Sequence, residues 1–331
     1  LGFKVDYRNT IISDMLEEEI PDSAYEDKEH MLEVLYAILN KSQQQLNIPK
    51  GVGKSYDAIL TVKSIPQAQA YYNLLKSIMA GKERIKVSER VRRHLPDFPK
   101  FTITYSVSEN EEESIGYQDH MKQVMEDYNQ EFGTHFRLAD LRGFNTDVNN
   151  RLARKQDKYL YRNEQLDLVI VVDRLLTGFD APCLSTLFID RKPMRPQDLI
   201  QAFSRTNRIF DDKKRFGHII TFQRPQAFKE AVDNALKLYS NGGENEVLAP
   251  SWEEEKSNFL SACGEFQAQV TDHEEEGIAI EQASTAQLRK IAKSYQAFDK
   301  YLASIRVYNE YKEEEIYQET GLTNAKLESY L

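Results

Sequence analysis

Two short clusters in this chain hold residue types whose spacing suits phosphate chemistry: Thr177-Gly-Phe-Asp-Ala-Pro182 and Gln201-Ala-Phe-Ser-Arg-Thr-Asn-Arg208. In the first, Gly178 permits backbone angles or a close approach that a side chain forbids, and Asp180 offers a carboxylate. In the second, Gln201, Ser204, Arg205 and Arg208 fall at i, i+3, i+4 and i+7, the spacing of one helix face, with Leu199, Phe203 and Phe210 on another. Two guanidiniums on one rigid face suit phosphate, because the planar fork stays charged and bonds two oxygens at once. Either cluster taken alone reads equally well as a plain turn or a solvated helix face. Both together, in order along an α/β pattern, point to a nucleotide-driven machine.

The elements that must position them are short apolar runs. Leu168-Val-Ile-Val-Val172 leads into the first cluster, Leu187-Phe-Ile189 follows it, and His218-Ile-Ile-Thr-Phe222 follows the second. Apolar runs bounded by turn chemistry and separated by helical pattern read as buried parallel strands with crossover helices. That reading places Thr177 to Asp180 just past a strand, where open parallel sheets put ligand-contacting loops. Upstream, Ala58 to Val62 and Phe101 to Tyr105 read as strands, and Ser64 to Met79 as a helix with Ala68, Tyr72, Leu75 and Met79 in one stripe. Glu109 to Ser114 forms an acidic loop, Gln118 to Phe132 a helix, and residues 133–157 an irregular insertion whose phenylalanines serve packing.

Residues 1–50 read as a connector broken by Pro21, with a helix over His30 to Leu46. Gly53-Lys54-Ser55 mimics the end of a phosphate-binding loop, but Ile48 stands where the first glycine belongs, and the strand comes after rather than before. Beyond the helix Phe228 to Tyr239, Asn241 to Asn245 marks a boundary. Helical periods then run over Trp252 to Val270 and Gln282 to Tyr311, separated by an acidic patch at Asp272 to Gly277. Tyr295, Phe298, Leu302, Ile305 and Tyr308 form a core stripe there.

At these residues the chain resembles a known family. Thr177 to Pro182 is similar to motif V, and Gln201 to Arg208 to motif VI, of superfamily-two helicases and translocases; many members carry glycine where this chain has Ser204. The wording Leu175-Leu-Thr-Gly-Phe-Asp-Ala-Pro182 with Gln201 to Ile209 resembles the restriction subunit of type I restriction-modification enzymes. The resemblance covers residues 51–242 well and the flanks by their order. It implies a RecA-like parallel sheet flanked by helices, followed by an all-helical region. It divides the chain into a connector with a helix from a first motor domain (1–50), a second motor domain (51–242) and the start of a C-terminal helical domain that docks on the methyltransferase (243–331).

Composition is consistent with this and excludes little else. The 331 residues, 40% hydrophobic, suffice for a sizeable core. Two cysteines give neither disulfide framework nor metal spacing, so a reducing, cytoplasmic setting is expected, with no structural metal and no membrane span. The net charge of −10 is uneven: residues 251–331 hold 16 acidic and 8 basic residues, residues 184–216 hold 8 basic and 4 acidic, and residues 82–100 hold 7 basic and 3 acidic. The two basic stripes either track a phosphate backbone or are ordinary solvated faces. The chain starts without methionine and lacks a P-loop, an Asp-Glu box and a nuclease constellation, so it reads as a fragment.

As the resemblance implies, ATP and Mg2+ would sit in a cleft shared with the first motor domain. Arg208 would act as arginine finger, Arg205 as its companion, and Gln201 would orient the helix face or the attacking water. Asp180 would contact the ribose or pair with an arginine, with Gly178 beside it. Thr177, Gly178 and Ser64, the last at the place of motif IV, would touch double-stranded DNA. Methyltransferase and specificity subunits would be the partners. Two alternatives stay open: another superfamily-two helicase, and a non-enzymatic interaction module in which Arg205 and Arg208 face solvent or pair with local acids such as Asp211.

Overall fold

The computed structural model describes residues 2–11, 15–105, 113–154, 156–176, 179–239, 248–275, 284–323, 326 and 327. They form two compact units, Leu1–Phe210 with Lys214–Ala249, and Asp211–Lys213 with Pro250–Leu331.

The first unit is built on one six-stranded, all-parallel sheet: β1 (Phe3–Tyr7), β2 (Asp57–Val62), β3 (Phe101–Thr104), β4 (Leu168–Val171), β5 (Leu184–Asp190) and β6 (Gly217–Thr221), in the order β1-β6-β5-β2-β4-β3. Every residue of β2, β4, β5 and β6 is buried, as expected when helices cover both faces and strands carry runs of Ile, Leu, Val and Phe. The flanking helices are α1 (Lys28–Tyr36), α2 (Ile65–Met79), α3 (Glu89–His94), α4 (Glu113–Phe132), α5 (Leu141–Ala153), α6 (Pro196–Phe203) and α7 (Pro225–Tyr239). The parallel sheet flanked by helices expected from the sequence is therefore present.

Two segments differ from expectation. The stretch read as a connector supplies β1, which pairs with β6 along Phe3↔Gly217 to Tyr7↔Thr221. Leu32, Leu35, Ile38, Leu39 and Ile48 of the same stretch lie in the core of the sheet unit. The stretch read as an irregular insertion contains α5. Its signal is sparse, three apolar residues at i, i+4 and i+8 (Phe144, Val148, Leu152), all fully buried among polar neighbours. Aromatic residues around it do serve packing: Tyr128 meets Phe144 at 5.0 Å, and the Arg151 guanidinium lies 4.0 Å from the Phe132 ring centroid. The acidic loop at Glu109 lies largely, and the boundary at Asn241 to Asn245 wholly, outside the described residues.

The second unit is helical: α8 (Trp252–Glu275), α9 (Thr285–Ile305) and α10 (Glu313–Thr320). Ser284 caps α9 in a capping box with Gln287. Phe259, Phe266, Phe298, Leu302 and Ile305 make its core, with Phe266 and Phe298 stacked at 5.2 Å. No helix among the described residues is long and apolar enough to cross a membrane.

Polar groups are buried at both ends of the central strands. At the start of β2, Asp57 accepts from the Arg154 guanidinium and, at 3.0 Å, from the Cys183 thiol; Arg154 also donates to the Ser55 carbonyl at 2.7 Å. Arg154 caps α5 with φ of 47°, a left-handed conformation costly for a long side chain and held by these bonds. Burial pushes the Asp57 carboxyl up to about 7 against the pull of Arg154. At the other end, Asp190 accepts from Tyr71 at 2.7 Å and from Gln67 and Gln223 at 3.0 Å, and lies 2.6 Å from His30 Nε2.

Arg154→Met leaves Asp57 without its counter-charge and should lower unfolding free energy in urea by about 3 kcal/mol or more. A loss under about 1 kcal/mol would show the pair to be dispensable. His218 in β6 supplies a pH test: burial, with Lys4 and Lys214 nearby, depresses its imidazole to about 3. The unfolded chain then binds a proton that the folded chain refuses, so stability should fall as pH drops from about 6.5 towards 3, by up to ~1.4 kcal/mol per pH unit. His218→Gln should flatten that slope, and an unchanged slope would assign it elsewhere.

Candidate functional site

Helix α6 begins with Pro196 in its first turn, where a missing N–H costs nothing, and buries Leu199, Ala202 and Phe203 against the sheet unit. It ends at Phe203, so the single helical face expected to carry Gln201, Ser204, Arg205 and Arg208 does not form. The reason is local. Ser204 Oγ donates to the Gln201 carbonyl at 2.7 Å and Thr206 Oγ1 to the Phe203 carbonyl at 3.1 Å, replacing the next helical bonds. Thr206 is fully buried against the start of β6, where Gly217 leaves room; a Cβ on Gly217 would stand 2.6 Å from the Thr206 carbonyl carbon. Buried Lys214 holds the turned chain by donating to the Thr206 carbonyl at 2.8 Å and to the Arg208 carbonyl.

Arg205 folds back over the helix end. Its Nε donates to the Gln201 carbonyl at 3.1 Å, Nη2 to Ser204 Oγ at 2.9 Å, and Nη1 to the Phe179 carbonyl at 2.5 Å. The first of these satisfies a carbonyl left open at a helix C-terminus, where a cation is also favoured by the dipole. The last ties the second cluster to the first. Burial, then the nearby Arg208 charge, lowers the Arg205 pKa, with Asp180 opposing. Arg208 Nε lies 3.6 Å from Asp180 Oδ1, and both side chains are about half exposed, at 56% and 49%. Asp211 accepts from the Lys213 backbone at 2.9 Å. Gln201 is exposed, and Phe210 lies edge-on to Tyr56 at 6.2 Å.

The position of this cluster corrects a second expectation. The segment holding Thr177 to Asp180 leaves the C-terminal end of β4, but β5 lies on the far side of β2 and runs parallel to it. The chain must therefore cross to the opposite edge before β5 begins. Asp57 N donates to the Cys183 carbonyl at 3.2 Å, which fixes the end of the crossing at the N-terminal edge of the sheet. Asp180, Arg205 and Arg208 gather at that edge, where β5 and β6 start. Ser64 does not join them. It caps α2 beyond the C-terminal end of β2, its Oγ accepting from Gln67 N at 3.4 Å. At about 3.3 Å per residue along β5, the two edges are roughly 20 Å apart. Thr177 and Gly178 lie outside the described residues.

Sequence reasoning missed Lys214, Gly217 and the Phe179 carbonyl. Lys213-Lys214 looks like any solvated basic pair, and nothing in a sequence marks which backbone carbonyl an arginine will reach. Among the described residues no group of three or more His, Cys, Asp or Glu side chains is placed to hold a metal ion.

Arg205→Ala should release the Phe179 to Ala181 segment, raising amide exchange there about tenfold, because a hydrogen bond to a charged group contributes ~1.5 kcal/mol. Protection in β5 and β6 should persist. Unaltered exchange at residues 179–181 would remove Arg205 as the tie between the two clusters.

The family described as type I restriction enzyme subunit R domain 3 matches residues 54–224, and that described as type I restriction and modification enzyme, subunit R C terminal, matches residues 247–331. The chain is 29% identical over 320 residues to the type I restriction enzyme SsaAORF53P endonuclease subunit of Staphylococcus saprophyticus, covering 91% of this chain and 32% of that one. It is 28% identical over 346 residues to the SauCOLORF180P endonuclease subunit of Staphylococcus aureus, covering 100% of this chain and 34% of that one. The chain thus spans about a third of the length of these relatives. A solved structure of the ATP-dependent type ISP restriction-modification enzyme LlaBIII bound to DNA overlays 96% of this chain and 17% of its own length, at 13% identity and a TM-score of 0.33, too loosely to carry an argument.

Proposed function

The chain belongs to the type I restriction enzyme R subunit family, and from that premise we propose that it is the second motor domain, with part of the helical domain, of an ATP-dependent DNA translocase. The observation that carries this reading is the Arg205 bond to the Phe179 carbonyl, which locks the two motif clusters together at one sheet edge and leaves Arg208 beside them. When bound, ATP supplies the γ-phosphoryl group whose transfer to water drives stepping.

Arg208 fits a phosphate. At 3.6 Å its contact with Asp180 is longer than a formed hydrogen bond, and exposed pairs of this kind contribute little, so exchanging the carboxylate for a phosphoryl oxygen costs little. Arg208 would then neutralise charge building up in the transition state, an effect on the order of 10³ to 10⁵ in rate for such fingers. Arg205, with donors on all three guanidinium nitrogens engaged within the chain, would position the finger and the crossing segment rather than follow the phosphate. Exposed Gln201 would orient the attacking water or the helix end. Asp180 would hold Arg208 in the open cleft, with Gly178 beside it. The P-loop and the acid that binds Mg2+ would come from the first motor domain.

Thr177, Gly178 and Ser64 would contact the DNA backbone, so that the crossing segment would link DNA to the ATP edge. Phosphate contacts carry no sequence information, which suits a translocase; methyltransferase and specificity subunits in the cytoplasm would supply recognition. The division into a second motor domain and a helical domain from 243 is part of the same proposal, with residues 1–50, which supply β1 and part of the core, counted in the motor domain.

In the intact parent subunit, with double-stranded DNA and the methyltransferase partner present, Arg208→Ala should lower ATP turnover by roughly a hundredfold or more while folding and DNA binding persist. Unchanged turnover would take Arg208 out of the mechanism. The 331-residue chain alone should show no turnover, since it carries one wall of the cleft.

A further inference from the structure

Arg174 is a partly buried arginine with no acid partner among the described residues. It stands three residues beyond the end of β4, in the first turn of the crossing segment. That turn is rigid: the Val172 carbonyl accepts from Thr61 Oγ1 at 2.7 Å and from Arg191 Nη1 at 3.0 Å. Leu175, next along, has φ of 66°, a left-handed conformation that a leucine adopts only when its surroundings impose it.

Within this braced turn the Arg174 side chain is partly buried, and its Nε is sealed from solvent without a hydrogen-bond partner among the described residues. The acid beside it, Asp173, is taken by Arg191 at 2.7 Å. Burial alone acts on the guanidinium, lowering its pKa with no carboxylate opposing. Other partly buried arginines of the unit show what satisfaction looks like. Arg151 meets Asp147 and Glu164 and Arg162 meets Asp97 and Asp167, while Arg224, whose Nε is likewise without a partner among the described residues, still meets Asp22. A half-buried cation without a counter-charge costs stability, and such a cost persists where an absent ligand offsets it.

The surroundings name the ligand class. Parallel register pairs Thr61 of β2 with Val171 of β4, and Val62 with Asp190 of β5. The residues that continue past these three strand ends are Lys63 and Ser64, Arg174, and Arg191 and Lys192. At this edge, the switch of strand order where open parallel sheets bind ligands, Lys63 is paired with Glu26, Arg191 with Asp173 and Lys192 with Asp22, which leaves Arg174, beside the N-terminus of α2, as the cation with no acid partner among the described residues. A phosphate oxygen fits it.

We propose that Arg174 is a backbone-phosphate contact for double-stranded DNA, the counter-charge of its guanidinium being supplied by the nucleic acid. This rests on the DNA-translocase reading and extends it to a residue outside the motif V and motif VI clusters. It also makes Arg174 a residue whose removal relieves the fold while harming function.

The test joins two measurements on the full chain, wild type against Arg174→Met and Arg174→Lys: urea unfolding, and fluorescence anisotropy with a short labelled duplex across a range of salt. Arg174→Met should unfold at the same or higher urea concentration, bind duplexes of unrelated sequence about tenfold more weakly, and reduce the slope of log affinity against log salt by about 1. Arg174→Lys should recover much of the binding. A clear loss of stability in Arg174→Met, or unchanged affinity and salt slope beside a wild type that binds, would overturn the assignment and leave the translocase reading standing. Failure of the wild-type chain to bind any duplex at low salt would overturn the assignment together with the DNA reading of this edge.

Discussion

The connection from β4 to β5 governs the architecture of this chain. Both strands flank β2 and run parallel to it, so the chain must pass from the C-terminal end of one to the N-terminal end of the other. A right-handed crossover in an open sheet usually spends a helix on that journey. Residues 172–183 make it, and among their described residues there is no helix. One stretch of backbone therefore touches both edges of the sheet. It starts in the braced turn at Val172 and ends where the Cys183 carbonyl meets Asp57 N. Any ligand drawing on either edge pulls on the same short strap.

Such a strap can transmit displacement only if its two ends are anchored to something that does not yield. The buried polar groups supply this. Asp57 gathers Arg154 and Cys183 below the start of β5, while Asp190 collects Tyr71, Gln67, Gln223 and His30 above its end. Apolar packing would hold these strands as firmly, but it would fix their register less uniquely. A carboxylate with several donors in fixed directions tolerates no slip, since each lost bond leaves a buried group unpaired. Residues 1–50 share in this: His30 reaches Asp190, and β1 extends the sheet. A segment that reads in sequence as a lead-in is built into the frame.

Much of this was legible beforehand, and the misses have physical causes. Buried parallel strands announce themselves because both faces demand apolar residues, so Leu168 to Val171 and Gly217 to Thr221 stand out. Phe3 to Tyr7 does not, since its lysine and aspartate are those of an edge strand. Helix α5 hid because three apolar residues suffice to dock it. The helix face through Arg208 failed because spacing alone assumes that the backbone continues, whereas two hydroxyls and a buried lysine redirect it. The clusters themselves were correctly seen to belong together. What brought them together, a guanidinium on a backbone carbonyl, has no signature in side-chain identity.

Identity also fails to separate the arginines by task; their partners do so. Arg154 and Arg162 end on buried carboxylates, which cancel their charge and make them structural. Arg205 ends on two carbonyls and a hydroxyl, partners that anchor a guanidinium without neutralising it. Burial, then the neighbouring Arg208 charge, lowers its pKa, with Asp180 opposing. Arg208 is drawn to Asp180 at 3.6 Å, longer than a formed hydrogen bond. Arg174, at the opposite edge, sits beside an acid already spoken for. The two edges thus hold charge in two ways, one by anchoring a cation on neutral acceptors and one by withholding its acid.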